Sequence, residues 1–373
     1  RLVEEVRGFG FRKADAIAEK MGIESSSPFR IRSGIRYVLS YFAGEGNTYM
    51  PRTELCESAG ELLDLPAGLI MQEIIGLAFN GIIKLDRLDG EEVCYLYPLY
   101  IAEQQVTRSI ARISSGSLKP LSTDKGNMIR QMESDTGLEL SEQQKRAVNS
   151  SVSCGLSVIT GGPGTGKTTV INCIIAVYAQ LRGLDLRKVN DLPILLAAPT
   201  GRAARRMNEL TGLPSATIHR HLGMTGDDDT SHLDDYLDAD FIIVDEFSMV
   251  DTWLANQLFS NISSNSKILI VGDSDQLPSV SPGQVLADLL QIPLIPQTRL
   301  ERIYRQSQES TIVTLASQIR QGILPADFSQ KKADRSYFEI ASGHIPATIE
   351  KILGAALRSG IPARDIQVLA PMY

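Results

Sequence analysis

Between Gly161 and Thr169 the chain reads GGPGTGKTT, which sets Gly161, Gly166, Lys167 and Thr168 at the spacing G-x-x-x-x-G-K-[ST]. An apolar run of strand character precedes it and a helical run follows, the setting in which this motif wraps phosphates. Gly162, Pro163, Gly164 and Thr165 fill the loop and Thr169 follows it. Glycines let successive backbone N–H groups converge on an anion, Lys167 neutralises β and γ oxygens, and the Thr168 hydroxyl can ligate Mg²⁺. The chemistry implied is that of ATP with magnesium.

A second element completes such a site. FIIVDEFSMVD is an apolar strand whose carboxyl end delivers Asp245 and Glu246. Magnesium needs one carboxylate and hydrolysis needs another to orient or deprotonate water, so adjacent acids can divide that labour. A third, ILIVGDSDQLPSV, runs from Ile268 into a loop with Asp273 and Gln276. Its strand is expected beside the one bearing Asp245, which puts both side chains at the carboxyl edge of the sheet, where ligands of such folds collect. There Gln276 can sense a γ-phosphate or its attacking water; the alternative is an aspartate-stabilised turn closed by Pro278 with no response to nucleotide.

Basic residues cluster nearby. LERIYRQ spaces Arg299, Arg302 and Arg305 by three, in helical register, which reads either as a solvated face or, at Arg305 beside Tyr304, as an arginine that stabilises charge on a transferring phosphoryl group. APTGRAARRM carries Thr200, Arg202, Arg205 and Arg206 at a helix start, suited to a sugar-phosphate backbone. SATIHRHLG adds Thr217, His219, Arg220 and His221; with no carboxylate partner or third ligand at suitable spacing, these histidines are not read as metal ligands.

The elements that position these residues follow from periodicity. LSVIT, PILLAAP, FIIVDE and KILIVGD alternate with helical stretches, the pattern of a parallel sheet covered on both faces. The expected class is therefore α/β, a P-loop NTPase domain over 128–325 that resembles the RecA-like type. Ahead of it, residues 1–25 place Gly8 and Gly10 between two short helical patterns, either a helix-hairpin-helix or an ordinary αα turn. Residues 26–113 hold helical runs at 30–44, 51–60 and 66–80, then GIIKLDRLDGEEVCYLYP, two strands around the Asp89-Gly90 turn. That order suggests a winged helix, which binds duplex DNA or serves only for packing. A polar linker is expected at 114–127, and past 325 SYFEI, a helix near 345–359 and IQVLAP resemble the opening of a second α/β domain.

Composition bounds the rest. With 373 residues and 43% hydrophobic content the chain can bury a full core. Its net charge of −7 excludes polyanion binding over the whole surface, so any nucleic-acid site is local. Cys56, Cys94, Cys154 and Cys173 are widely spaced and read as reduced core residues. No apolar run reaches the roughly 20 residues of a membrane span and no signal-peptide pattern opens the chain, so a cytoplasmic location is the expectation.

Taken in order, LSEQQKRAV, the P-loop, APTGRAA, TIH, VDEFSMVD, VGDSDQLPSVSPG and YRQ resemble a superfamily 1 helicase of the RecD-like branch, related to the exodeoxyribonuclease V alpha subunit. The resemblance is dense from about 138 to 322, and GFGFRKADAIA with the helical block after it resembles the amino-terminal region of the stand-alone bacterial type. It implies a DNA-dependent ATPase that moves 5′ to 3′ along single-stranded DNA, separates duplex at single-strand/duplex junctions, and serves repair or recombination. It also implies that Gln144 reads adenine, that Tyr304 stacks on it, that Arg305 faces the γ-phosphate, and that Gln276 couples nucleotide to strand. Thr200, Arg202, Thr217 and His219 then fall in segments lining the DNA. Two departures stand out. Where the family builds a β-hairpin pin, residues 222–239 form a short acidic insertion, and the later motifs of a second motor domain lie past Tyr373, so slow turnover of bound Mg-ATP is expected. Two other readings stay open: a nucleotide-regulated DNA-binding adaptor, and an RNA-directed enzyme of the same superfamily.

Overall fold

Strands with apolar residues on both faces must be covered on both sides, and the chain meets that demand with layers of helix on either side of one sheet. The strands are β4 (Leu156–Gly161), β5 (Ile194–Ala198), β6 (Ser215–Thr217), β7 (Phe241–Val244), β8 (Lys267–Gly272) and β9 (Gln297–Leu300). They form a six-stranded sheet, all parallel, in the order β6-β5-β7-β8-β4-β9. Val158, Ile242, Val244, Ile268 and Ile270 face one core; the alternate residues Ile159, Ile243, Leu269 and Val271 face the other. The computed structural model describes residues 10–116, 125–224, 236–302 and 310–370.

Helices α6 (Lys125–Thr136), α7 (Glu142–Ser153), α8 (Lys167–Arg182) and α9 (Gly201–Thr211) cover the second of these faces. The first is covered by α5 (Tyr97–Ser114), α10 (Ile218–His221), α11 (Thr252–Ser260) and α12 (Val285–Leu290). The expected α/β architecture is thus present, with the crossovers placing α8 directly after β4 and the acid-bearing loop directly after β7.

The amino-terminal region has its own core, formed by α1 (Phe11–Lys20), α2 (Pro28–Gly44), α3 (Arg52–Leu63) and α4 (Ala67–Phe79) with β1 (Tyr49–Pro51), β2 (Ile83–Leu88) and β3 (Glu91–Leu96). The antiparallel order β1-β3-β2 gives three helices, a short first strand and a two-stranded wing. The wing turns at Asp89 (φ 49°) and Gly90 (φ 88°), both left-handed, as a two-residue hairpin demands. Phe11 stacks on Tyr37 at 5.2 Å and Arg30 clamps Asp15 at 2.7 and 2.8 Å, fixing α1 on α2. The first part of the expected hairpin, residues 1–9, lies outside the described residues.

Two expectations change, and a third falls mostly outside the described residues. The linker placed at 114–127 is described only at its ends, and these close α5 and open α6. Arg299 is not on a helical face: it lies in β9, whose pairing with β4 from Val158 to Gly161 gives the segment a ladder of hydrogen bonds that a helix would forfeit. In the second of the chain's two units, residues 304–373, SYFEI and IQVLAP have no strand beside them among the described residues, and an extended segment without a hydrogen-bonded neighbour is not a strand. That unit holds α13 (Thr311–Arg320) and α14 (Ile345–Arg358), the latter close to the expected 345–359. Asp334 accepts bonds from Ser310, Thr311 and the Ile312 N–H, so its carboxyl is held down at about 2.

Among the described residues no single helix is long and apolar enough to cross a membrane. Cys56, Cys94 and Cys173 are buried, and burial pushes the Cys94 thiol up to about 12.

The helix leading from the wing to the sheet is bolted down by one side chain. Arg112 of α5 donates to the carbonyls of Ile262 (2.6 Å) and Phe259 (3.0 Å) and lies over the Tyr236 ring. Arg112→Met keeps the stem and removes these charge-assisted bonds; a loss of about 1.5–3 kcal/mol is expected in urea melts. An unchanged midpoint would show that the two carbonyls are as well satisfied by water.

Candidate functional site

Parallel register brings the chemistry to one edge. Thr160 pairs with Gly272, Val244 with Ile270 and Ala197 with Val244, so β4, β5, β7 and β8 end nearly level. The loops that leave them carry the P-loop, Thr200, the acid pair and Gln276.

The P-loop runs from Gly161 to Gly166 and opens α8 at Lys167. A Cβ at Gly161 would lie 2.8 Å from both the Leu300 carbonyl oxygen and Thr165 Oγ1, so no other residue fits there without moving β9. Gly164 (φ 76°) and Gly166 (φ 85°) take the left-handed conformation that curls the loop. Thr165 Oγ1 donates to the Gly162 carbonyl at 2.8 Å, bracing the curve. The Lys167 ammonium donates to the carbonyls of Gly161 and Gly162, which keeps it at the mouth of the loop. Thr168 and Thr169 are half-buried in the first turn of α8; Pro163 is exposed at the loop's crest.

Asp245 follows β7, its N–H donating to the Ala197 carbonyl at 3.0 Å. Its Oδ1 accepts the Glu246 N–H at 2.8 Å. Glu246 is one of three non-glycine residues with positive φ among the described residues, at φ 54° and ψ 38°. This strained conformation turns the chain into a 3₁₀ turn at Phe247–Met249. Phe247, fully buried against Phe259, anchors that turn. Gly272 lets it pass: a Cβ there would come within 2.7 Å of Leu286 and 3.3 Å of the Ser248 nitrogen.

Burial holds the Asp245 carboxyl above the usual carboxylate range, against the Glu246 N–H and the Lys167 and Arg206 cations. Burial also raises Glu246, the neighbouring Asp245 charge adds to it, and Lys167 and Arg206 oppose it, with Asp273 a further upward influence. Arg206 and Asp273 thus share the site's electrostatics, although they stand outside the residues expected to act on nucleotide. The signal for Arg206 was the arginine cluster of α9; that this member, four residues after Arg202, faces the acids depends on tertiary packing.

In the β8 loop Asp273 is 2% exposed and its Oδ1 accepts the Asp275 N–H at 3.1 Å. The Gln276 N–H donates to the Asp273 carbonyl at 3.2 Å, and the Ser274 N–H donates to Thr160 Oγ1 at 3.2 Å. The aspartate-stabilised turn is therefore real, and it coexists with an exposed Gln276 at the carboxyl edge, tied to the strand that enters the P-loop. Arg299 reaches Asp275 of the same loop at 3.3 Å.

Gln144 sits 3% exposed in a capping box, its Oε1 accepting the Ser141 N–H at 2.9 Å while Ser141 Oγ accepts the Gln144 N–H. Its side-chain oxygen starts α7, a structural task additional to the expected one. Thr200 Oγ1 caps α9 through the Ala203 N–H, and Thr217 Oγ1 accepts the Arg220 N–H. Arg202 and His219 are exposed on this same edge. His221 bonds the Leu196 carbonyl at 3.0 Å, and burial lowers its pKa. Tyr304 and Arg305 lie outside the described residues, as does most of the acidic insertion, residues 225–235.

The groups suit a triphosphate and Mg²⁺: a curled glycine-bearing loop and a lysine at its mouth for the phosphates, and a hydroxyl and a partly buried carboxylate, both hard oxygen ligands, for the metal. The acid pair costs stability in return. Because the folded pKa of Asp245 is raised, the folded state holds its proton more firmly than the unfolded one, and stability falls as pH rises through the folded value. Without metal or nucleotide, Asp245→Asn is expected to melt higher than the parent at neutral pH, with the gap closing as pH drops into the carboxylate range. Equal melting temperatures across a pH series would mean that Lys167 and Arg206 fully compensate the burial.

Comparison with known proteins finds RecD-type helicases among the similar sequences. The ATP-dependent RecD2 DNA helicase HHH domain matches residues 1–49, and an AAA domain matches 144–282. An ATP-dependent RecD2 DNA helicase of Deinococcus radiodurans is 29% identical over 99% of this chain and 50% of its own. A RecBCD enzyme subunit RecD of Mycolicibacterium smegmatis is 39% identical over 40% of this chain and 30% of its own, and one of Mycobacterium tuberculosis is 34% identical over 55% and 39%. A solved Pif1 helicase from Candida albicans aligns with 58% of this chain and 55% of its own at 20% identity and a TM-score of 0.37. The chain spans about half the length of the first of these relatives and less of the others. With the P-loop, the acid pair and the glutamine loop on one sheet edge, the chain is similar to RecD-like superfamily 1 helicases in both its amino-terminal and its nucleotide-binding segments.

Proposed function

We propose that this chain is the nucleotide-binding part of an ATP-driven DNA helicase that moves 5′ to 3′ on single-stranded DNA and opens duplex at junctions, in a cytoplasmic repair or recombination process. One observation carries the reading: Lys167, Asp245, Glu246 and Gln276 converge on the carboxyl edge through the shared register of β4, β7 and β8. The RecD2 relative, whose name states ATP dependence and DNA, supports it.

In this reading ATP lays its phosphates along the loop N–H groups at the start of α8, and the Lys167 ammonium exchanges its carbonyl partners for phosphate oxygens. Thr168 and Asp245 would hold a magnesium ion, which would supply positive charge to offset that of the phosphates. Glu246, next to Asp245 and raised by burial, orients the attacking water and accepts its proton. Its left-handed backbone sets where the Cα–Cβ bond leaves the chain, so the side chain starts from a fixed point beside Asp245. Gln276 reports the terminal phosphate to the β8 loop. Gln144 and Tyr304 recognise the adenine, Arg305 stabilises charge on the phosphoryl group, and Thr200, Arg202, Thr217 and His219 line the strand.

The test is steady-state ATP hydrolysis by the longest natural form of the chain, with and without a single-stranded oligodeoxynucleotide. Strand-stimulated turnover is expected, with Lys167→Ala at background. Glu246→Gln should lower kcat by about 10²-fold or more while leaving oligonucleotide binding intact. Gln276→Ala should retain unstimulated turnover and lose the stimulation. Turnover indifferent to the strand in the parent protein would reject the motor reading and favour a nucleotide-regulated DNA adaptor.

A further inference from the structure

The loops that carry Glu246 and Gln276 have a second side. Beyond the 3₁₀ turn the β7 loop enters α11, on the sheet face opposite α8. There His219, Met224, Asp251, Trp253, Ser281 and Pro282 line a crevice of about 470 Å³, within the range of small-molecule sites. Its walls come mainly from the segments following β6, β7 and β8, the edge that also carries the nucleotide residues, and Leu99 near the start of α5 and Leu254 of α11 complete them. Trp253, the single tryptophan of the chain, is 38% exposed at its rim.

The wall chemistry selects the occupant. Indole, imidazole, the Met224 thioether and the Pro282 ring offer flat or apolar surface, and Asp251 contributes the only carboxylate. Asp251 Oδ1 already accepts the Leu254 N–H at 2.7 Å. A phosphate would meet like charge there, whereas an uncharged aromatic ring would meet a stacking face. We propose that the crevice seats one base of the single strand, stacked on Trp253 with His219 beside it and the phosphates outside. The inference rests on the nucleic-acid reading above and names a contact within it.

The placement also gives the strand a grip on the nucleotide loops. The Thr252 N–H donates to the Pro282 carbonyl at 2.9 Å, and a Cβ at Gly283 would lie 1.8 Å from Thr252 Oγ1, so the β7 and β8 loops touch at the crevice wall. A base pressed between Trp253 and Pro282 bears on both loops at once. Trp253 is a binding and positioning residue in this account; it does not touch the phosphates.

The sole tryptophan makes the test direct. An oligothymidylate is titrated while tryptophan emission is read, with binding followed independently by anisotropy of an end-labelled copy. Quenching that saturates with binding is expected, and an abasic oligonucleotide of equal phosphate number should not reproduce it. Trp253→Ala should weaken binding about five- to hundredfold, the worth of one stacked base, and Trp253→Phe should restore most of it. Binding by anisotropy with unchanged emission and an unaffected Trp253→Ala would overturn the inference alone. Equal quenching by the abasic strand, or by ATP without DNA, would also overturn it by assigning the crevice to another occupant. No binding by anisotropy would reject the nucleic-acid reading, and the inference with it.

Discussion

Everything in the site depends on the pairing of β7, β8 and β4. In a parallel sheet buried on both faces, a slip of one residue would exchange the two cores and move each strand's exit by a full residue. The register Val244 to Ile270 and Thr160 to Gly272 prevents that, because Ile243, Leu269 and Ile159 fill one core while Val244, Ile270 and Val158 fill the other. Gly161 and Gly272 end two of these strands where a side chain would strike a neighbour. The glycines permit the P-loop and the acid turn to lie close; the apolar alternation decides where they lie.

The cost of this convergence falls on the carboxylates. Asp245, Glu246 and Asp273 crowd together in a partly buried place, with Lys167 and Arg206 to offset them. Left-handed backbone at Glu246 adds strain of about 1–3 kcal/mol. The neighbourhood sustains it because Phe247 is locked in the core and the Asp245 carboxylate accepts the Glu246 N–H. Destabilised, pre-set geometry of this kind is common where charge must be managed in a reaction, and here the buried Phe247–Phe259 contact supports it.

What the sequence made legible follows from locality. The P-loop, the acid strand and the Asp89-Gly90 wing turn are short-range patterns whose residues dictate backbone geometry by themselves, and each sits where its pattern says. β1 has three residues and owes its existence to β3, so no periodicity announces it. Arg299 shows the opposite failure: a three-residue spacing of arginines looks helical, yet β4 offers a ladder and the segment takes it. SYFEI and IQVLAP have strand-like composition without a neighbour among the described residues, and composition alone supplies no hydrogen bonds. The orientation of Arg206 and the double duty of Gln144 are likewise tertiary facts.

The same logic joins the two sides of the loops. A loop that only bound nucleotide could move freely at its far end, but the segment after Gln276 cannot: Ser279 Oγ donates to the Ser281 and Gly283 carbonyls, and the Gly283 N–H donates to the Gly46 carbonyl in the amino-terminal region at 2.9 Å. At its near end Ser274 is held to Thr160. Between these fixed points stand Gln276 and Leu277, the latter 88% exposed. A short segment pinned at both ends can respond to a ligand only by rearranging as a unit. The β7 loop is pinned in the same manner by Phe247 and by the Thr252–Pro282 bond. The crevice and the acid pair are therefore joined by backbone contacts already in place, and a ligand with different affinity for two arrangements of those contacts would shift both sides together.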